Sequence, residues 1–497
     1  MLMAWCYRFV QDDAFISFRY ARNLARGSGL VYNLGERVEG YTNFLWTICM
    51  APAFWLGIDV VVWSETLSIA SFLGVLLLTR RLARRWLGEA AASAVLALVA
   101  FNYSFCSYAT GGLETMFGVF WILLSVDALA GERLVLAALG TTASFMTRMD
   151  SSLLLFPFWA AAVFPKGCRA FRIRPFAIGS AVILPLVGAW LVGRHAYYGA
   201  WLPNTFLIKG DVSLVRGLLY VGLFHVLYGF VLLAAFLFSP GFFSRIPKPA
   251  LASLALWQGY LILVGGDFME FRLFLPCFPF LAMAAVAALL PGGTGEVNST
   301  RKAVYLAMLV LAFVGMPRFL PARLMQNIPD LKSYHRELME FVGRFEQIKG
   351  SDMNDVRIAI TSAGILPYYA DLPTLDLLGL NDRDVAVDGL PVPPVHRWLG
   401  NRPGHCRIAT WDMLTAKKVN LLINYAWATQ GPPAISSVAE LNAKWPFFHV
   451  EIPENVEVRL VAWPLPDNRF WPMVYVTPHP AVDAAILRLN APVLTLR

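Results

Sequence analysis

Apolar stretches approaching the roughly 20 residues needed to cross a bilayer recur along this chain between residues 64 and 321. They fall at 64–80, 88–106, 115–130, 133–148, 151–165, 176–193, 216–238, 249–265, 271–290 and 303–321. From about residue 322 polar and apolar positions interleave instead. There 331–348 has a helical period, whereas 356–361, 419–425 and 456–462 read as strands. The pattern predicts a polytopic α-helical membrane protein, with about ten to eleven transmembrane helices, and a small α/β C-terminal domain. The expected division is a membrane domain at 1–321 and a C-terminal domain at 322–497.

Residues 44–63 are also apolar, but Pro52, Gly57 and Asp59 interrupt them, and Trp46, Trp55 and Trp63 suit the headgroup level. This stretch is expected to lie on or dip into the outer interface. Short basic clusters fix the orientation. They are Arg80, Arg81, Arg84 and Arg85; Arg133; Lys166, Arg169, Arg172 and Arg174; Arg245 and Lys248; and Arg301 with Lys302. They occupy every second loop, as a cytoplasmic excess of basic residues requires. Loops 12–43, 107–114, 194–215 and 266–270, with the C-terminal domain, are then expected outside the plasma membrane.

Composition narrows the class. Of 497 residues 57% are hydrophobic and 15% charged, against about 25% charged in a typical soluble domain, which excludes an ordinary cytosolic enzyme. The net charge of +8 could suggest nucleic acid. In the membrane region the basic residues sit in short clusters between apolar spans, so orientation is the better explanation and no nucleic-acid partner is expected. The six cysteines lie far apart without a CxxC pair, so neither a zinc site nor a disulfide framework is indicated. Residues 1–11 are too short for a cleavable signal peptide.

Ionisable groups beside membrane spans are functional candidates, and here they gather in the outer loops. Asp12, Asp13, Arg19, Glu36, Glu39, Glu114, Arg148, Asp150, His195, Lys209, Asp267, Glu270 and Arg272 mix acids with bases. Such a mixture suits a site that handles an anionic phosphate and a proton transfer. In the adjacent pair Asp12 and Asp13, one carboxylate can take a proton while the other orients a hydroxyl. The plainer alternative is that the pair caps the helix suggested by AFISFRYARNL. No metal centre is expected, because His396 and His405 lack HExxH or paired-Cys spacing.

The run DDAFISFRYARNLARGSGLVYNLGERVEGYTNFLW at residues 12–46 resembles the first extracytoplasmic loop of the GT-C membrane glycosyltransferases, specifically the mycobacterial terminal (beta-1,2) arabinofuranosyltransferases. TGGLET at 110–115, RMD at 148–150, PNTFLIKG at 203–210, GGDFMEFRLFLPCFP at 265–279 and GILPYYADLPTLDLLGLNDRDVA at 364–386 are similar to further pieces of that family, in the same order. The resemblance implies a sugar donor carried on a polyprenyl phosphate, with no other cofactor, and an acceptor hydroxyl on a cell-wall glycan or surface glycoprotein. It implies that outer loop 12–63 carries the acidic motif, with Asp12 as base beside Asp13.

Arg19, Lys209 and Arg272 are then candidates for the donor phosphate. Each has a plainer role open to it: Arg19 pairing with Glu36 or Glu39, Lys209 reaching lipid headgroups, Arg272 pairing with Asp267 or Glu270. Glu39, Tyr41, Glu114, Asn204, Asp267, Asp376, Asn381 and Asp382 are candidates to hold substrate. Turn formation accounts equally well for Asn381 and Asp382. The family carries a membrane helix ahead of the acidic loop. The 11 residues before Asp12 are too few to cross about 30 Å of hydrocarbon at ~1.5 Å per residue. The rival class is a non-catalytic membrane protein, either a transporter or an assembly or motility factor.

Overall fold

The structure, a computed structural model, describes residues 2–165, 171–208, 213–229, 244–290, 299–313, 324–350, 352–393, 401–423, 428–445, 449–465 and 468–497. Lys166, Arg169, Lys209 and His396 lie outside the described residues, as do the ends of two expected spans and the side chains of Arg301 and Lys302. The chain forms two compact units, each assembled from separate stretches of sequence.

The first unit, Met1–Val10, Thr42–Trp201 and Val212–Leu331, is helical and apolar. Each expected span is helical over most of its described length. Among the described residues, Val60–Leu87 and Ile173–Tyr198 are long and apolar enough to cross a membrane alone. A third crossing exists if Tyr103–Thr110 and Thr115–Ala130, bent by 112°, act as one span.

Among the described residues, seven further apolar helices have 10–17 residues. At ~1.5 Å per residue these fall short of a full crossing, so length alone does not yield the ten spans expected from hydropathy. The interruptions are visible in the sequence. Pro157 sits inside Ser152–Val163, and the expected span 271–290 begins with the 3-10 turn Arg272–Cys277, which contains Pro276.

The longest helix is fixed at both ends. Asp59 accepts from the amides of Val61 and Val62, Gly88 at φ 93° ends it, and Arg84 and Arg85 occupy its last turn, where cations suit the helix dipole. Phe44–Trp55 is a separate 12-residue helix broken from it at Gly57 and Asp59, while residues 60–63 of the expected interfacial segment join the long helix.

The second unit, Gln11–Tyr41, Leu202–Asp211 and Lys332–Arg497, is an α/β body. Its strands are β1 (Ile358–Ile360), β2 (Thr374–Asp376), β3 (Leu390–Pro391), β4 (Arg407–Ile408), β5 (Leu421–Ile423), β6 (Thr429–Gln430), β7 (Val458–Pro464), β8 (Arg469–Tyr475) and β9 (Val493–Leu496). The main sheet runs β2-β1-β5-β8-β7-β9, with β6 added to β8. β1 is parallel to β2 and β5, while β8 is antiparallel to β5 and β7.

β1 and β5 read Ile-Ala-Ile and Leu-Leu-Ile with every residue buried, the run expected of strands covered on both faces. Leu375, Leu422, Leu460 and Val474 pack with Trp411, Leu414, Val438 and Leu441 into the core. Leu338, Phe341, Val342 and Phe345 recur at helical spacing and are buried, and Phe341 meets the Trp471 ring at 4.6 Å. The acidic loop 12–41 is an integral part of this unit.

Candidate active site

Asp12 opens the helix Asp12–Ala25. The cap position belongs to Gln11, which makes no side-chain cap bond, so the capping alternative does not describe Asp12. Its Oδ1 instead accepts from the Ile365 amide at 2.7 Å, and the neighbouring Gly364 amide also favours the ionised carboxylate. Asp12 is 7% exposed. Burial pushes its carboxyl up, the Ile365 amide opposes, the charge of Asp13 pushes up again, and the Gly364 amide and Asp376 act more weakly; the balance lies at about 7. A carboxyl poised there can accept a proton near neutral pH. Asp13, next along the helix, is half-buried.

Arg19 corrects the expectation of a donor-phosphate contact. Guanidinium has five N–H bonds, and all are engaged within the unit. Nε donates to Tyr32 O at 2.8 Å; Nη1 to Pro367 O at 2.7 Å and Thr374 Oγ1 at 3.5 Å; Nη2 to Leu372 O at 2.7 Å and Asn33 Oδ1 at 3.2 Å. The residue is 4% exposed, and Glu36, the partner weighed from sequence, bonds Arg357 and Asn33 instead. Arg19 fastens the acidic loop to residues 367–374.

The substrate candidates of this unit are also engaged internally. Asp376 is fully buried and accepts from the Leu378 amide at 3.0 Å and from the Asn381 amide and Nδ2 at 2.9 Å each. Burial raises its carboxyl to about 6 against those bonds. Asp382 caps Arg383–Asp388 and pairs with Lys417 at 2.8 Å. Asn204 Nδ2 donates to the carbonyls of Gly379 at 2.6 Å, Asp382 at 3.0 Å and Leu380 at 3.2 Å, and its own amide donates to Glu39 O at 2.9 Å. Tyr41 is buried edge-on to Tyr20 at 4.9 Å. Asn381 and Asp382 thus make the local bonds of the turn-forming alternative, and Asp376 is the acceptor at the centre of that turn.

A second polar cluster lies within the helical unit. Glu114 is 4% exposed and accepts from Asn43 Nδ2 at 3.0 Å and Arg148 Nη1 at 3.1 Å. Arg148 forks onto Asp150 at 2.6 and 3.1 Å, and Tyr260 donates to Asp150 at 3.0 Å. Arg272 is held by Asp267 at 2.8 Å, the pairing weighed from sequence. Arg148, Asp150 and Arg272 line one pocket with Thr115, Trp257 and apolar side chains. Sequence reasoning placed Arg148 and Asp150 among outer polar residues without giving them a role; the RMD motif was the signal. Asn43, Tyr260 and Gly364 were missed altogether.

Residues 332–466 match a family described as a domain of unknown function (DUF8728). The chain is 27% identical over 343 residues to the terminal beta-(1->2)-arabinofuranosyltransferase of Mycobacterium tuberculosis, covering 58% of this chain and 54% of that one. It is 29% identical over 334 residues to the protein of that name from Corynebacterium glutamicum, covering 57% and 48%. The chain thus spans about half the length of the curated relatives it matches.

Among solved structures it is similar to ArnT from Cupriavidus metallidurans bound to undecaprenyl phosphate, with TM-score 0.51 and 14% identity over 76% of this chain and 84% of that one. It is also similar to the oligosaccharyltransferase AglB from Archaeoglobus fulgidus in complex with an inhibitory peptide and a dolichol-phosphate, with TM-score 0.50 and 11% identity over 95% and 73%. At such identities the likeness is one of fold. The chain has the polytopic GT-C fold, and its sequence resembles the terminal beta-(1->2)-arabinofuranosyltransferases.

Proposed function

We propose that this chain is a polyprenyl-phosphate-dependent glycosyltransferase that transfers arabinofuranose to a hydroxyl of a cell-wall glycan or surface protein at the outer face of the plasma membrane. The observation that carries this reading is the buried Asp12 carboxylate, held by the Ile365 backbone amide, in the loop whose sequence resembles the family's acidic motif. Asp12 takes the acceptor proton as the acceptor oxygen bonds the anomeric carbon. The bond from that carbon to the phosphate oxygen breaks, and its electron pair leaves with the polyprenyl phosphate.

Arg272, a residue of the helical unit, keeps its candidacy for the donor phosphate. Lys209 retains the role that resemblance gives it. In this reading the helical unit lies in the membrane, and the unit made of 11–41, 202–211 and 332–497, in place of the expected 322–497 alone, stands outside. The test is to incubate purified protein with polyprenyl-phosphate arabinofuranose and a glycan acceptor and to weigh the products. A mass gain of one pentose on the acceptor is expected. Donor left intact under conditions where the protein binds it would refute the reading in favour of a non-catalytic membrane protein.

A further inference from the structure

We infer that the backbone amide of Ile365, with that of Gly364 packed beside it, is the positioning device for Asp12, and that residue 364 is confined to glycine because a side chain there would displace the acidic helix. The catalytic meaning of this rests on the reading of Asp12 as base.

The geometry is closed on both sides. A Cβ at Gly364 would lie 1.9 Å from the Asp12 carbonyl oxygen, 2.6 Å from its carbonyl carbon and 2.7 Å from Oδ1. The first two are backbone atoms and cannot swing aside. Gly364 has φ −96°, so the demand is for space, not for a left-handed backbone.

The segment carrying the amides cannot retreat either. Tyr32 Oη donates to Ala363 O at 2.6 Å, Arg19 to the carbonyls of Pro367 and Leu372 at 2.7 Å each, and Arg22 to Tyr368 O at 2.7 Å. Asn33 Nδ2 donates to Thr374 O at 2.8 Å while its Oδ1 accepts from the Thr374 amide at 3.0 Å. Side chains of 19–33 thus grip the backbone of 363–374, and that backbone in turn grips Asp12. The two amides favour the ionised carboxylate against burial and the charge of Asp13, so they keep a buried acid available as a base.

The test titrates the Asp12 carboxyl by infrared difference spectroscopy in the purified full-length protein, with Asp12→Asn identifying its band. No substrate is required. Gly364→Ala is expected to raise the midpoint by about one pH unit, a tenfold change in the ionisation constant. Where transfer is measured, the acidic limb of its pH profile should move equally, with kcat falling more than donor KM rises. Ile365→Pro carries the test if Gly364→Ala does not fold. Ile365 opens the helix Ile365–Ala370, where proline's fixed φ is tolerated and only the N–H is lost, and Ile365→Val is the control that keeps it. A midpoint unchanged from wild type in both Gly364→Ala and Ile365→Pro overturns the inference. A wild-type protein whose Asp12 responds to these changes but transfers no sugar supports the cradle and refutes the enzymatic reading instead.

Discussion

At the scale of single residues, Asp12 trades stability for chemistry. Its carboxyl lies at about 7 in the fold, against an ordinary value of 3.8. The folded unit therefore holds a proton that the unfolded chain has lost between those values. The stability this confers is full below about pH 4 and is lost as pH rises through about 7, and Asp376, at about 6, adds to the same slope. Asp12→Asn keeps an oxygen for the Ile365 amide but cannot ionise. It is expected to unfold at a higher temperature than wild type at pH 8, with little difference near pH 4. Transfer should fall by roughly 100-fold or more, because an amide takes no proton. Melting curves at the two pH values and initial rates check both halves; turnover within about threefold of wild type would sink the assignment of Asp12. Arg19 trades nothing. With five buried bonds against the three that lysine offers, Arg19→Lys should destabilise by roughly 3 kcal/mol or more in denaturant titration and leave donor affinity unchanged in the protein that remains folded.

At the scale of elements, the motif 364–386 has a structural explanation that its sequence alone did not disclose. The helices were legible because apolar period and breakers are local properties. The Asp12 to Ile365 bond joins positions 353 residues apart, and the Arg19 to Pro367 bond 348 apart, and in both the partner is a backbone atom that has no letter in the sequence. The same blindness hid what Asp376, Asn381 and Asp382 do in the fold, where their side-chain bonds hold their own turn, a cap and Lys417. Gly40 reports on that turn. A Cβ there would lie 2.0 Å from Asn381 Oδ1 and 2.9 Å from Leu380 O, so Gly40→Ala should lower the melting temperature by several degrees. Gly343, inside Ile328–Ile348 with open space around it, is the contrast. Gly343→Ala should leave stability unchanged or raise it by about 0.5–1 kcal/mol. Equal effects from the two substitutions in the same thermal assay would mean that contact with the turn at 379–382 is not what constrains Gly40.

At the scale of the whole molecule, the last prediction concerns the side of the membrane. Residues 11–41 and 332–497 belong to one compact unit, and a compact polar body does not straddle a bilayer, so both stretches must share a side. Which side follows from charge. The helix Val60–Leu87 ends in arginines, and Arg81 and Arg133 both pair with the fully buried Asp127, so that Arg80, Arg81, Arg84, Arg85 and Arg133 outnumber the acids Glu89, Asp127 and Glu132 of that loop region. Such an excess favours the cytoplasm. The proposed orientation therefore puts Arg26 and Asp352 outside and Glu89 inside. In a background with Cys6, Cys49 and Cys168 replaced by serine, cysteines introduced as Arg26→Cys and Asp352→Cys should react in intact cells with a membrane-impermeant maleimide. Glu89→Cys should react only after lysis. The side chains of Arg26 and Glu89 are 54% and 57% exposed, so low reactivity would not reflect burial. Labelling of all three positions only in the opposite sense would reverse the orientation and remove the acidic loop from the outer face. Labelling of Arg26→Cys without Asp352→Cys would contradict the shared unit itself, and with it the contact through which Ile365 holds Asp12.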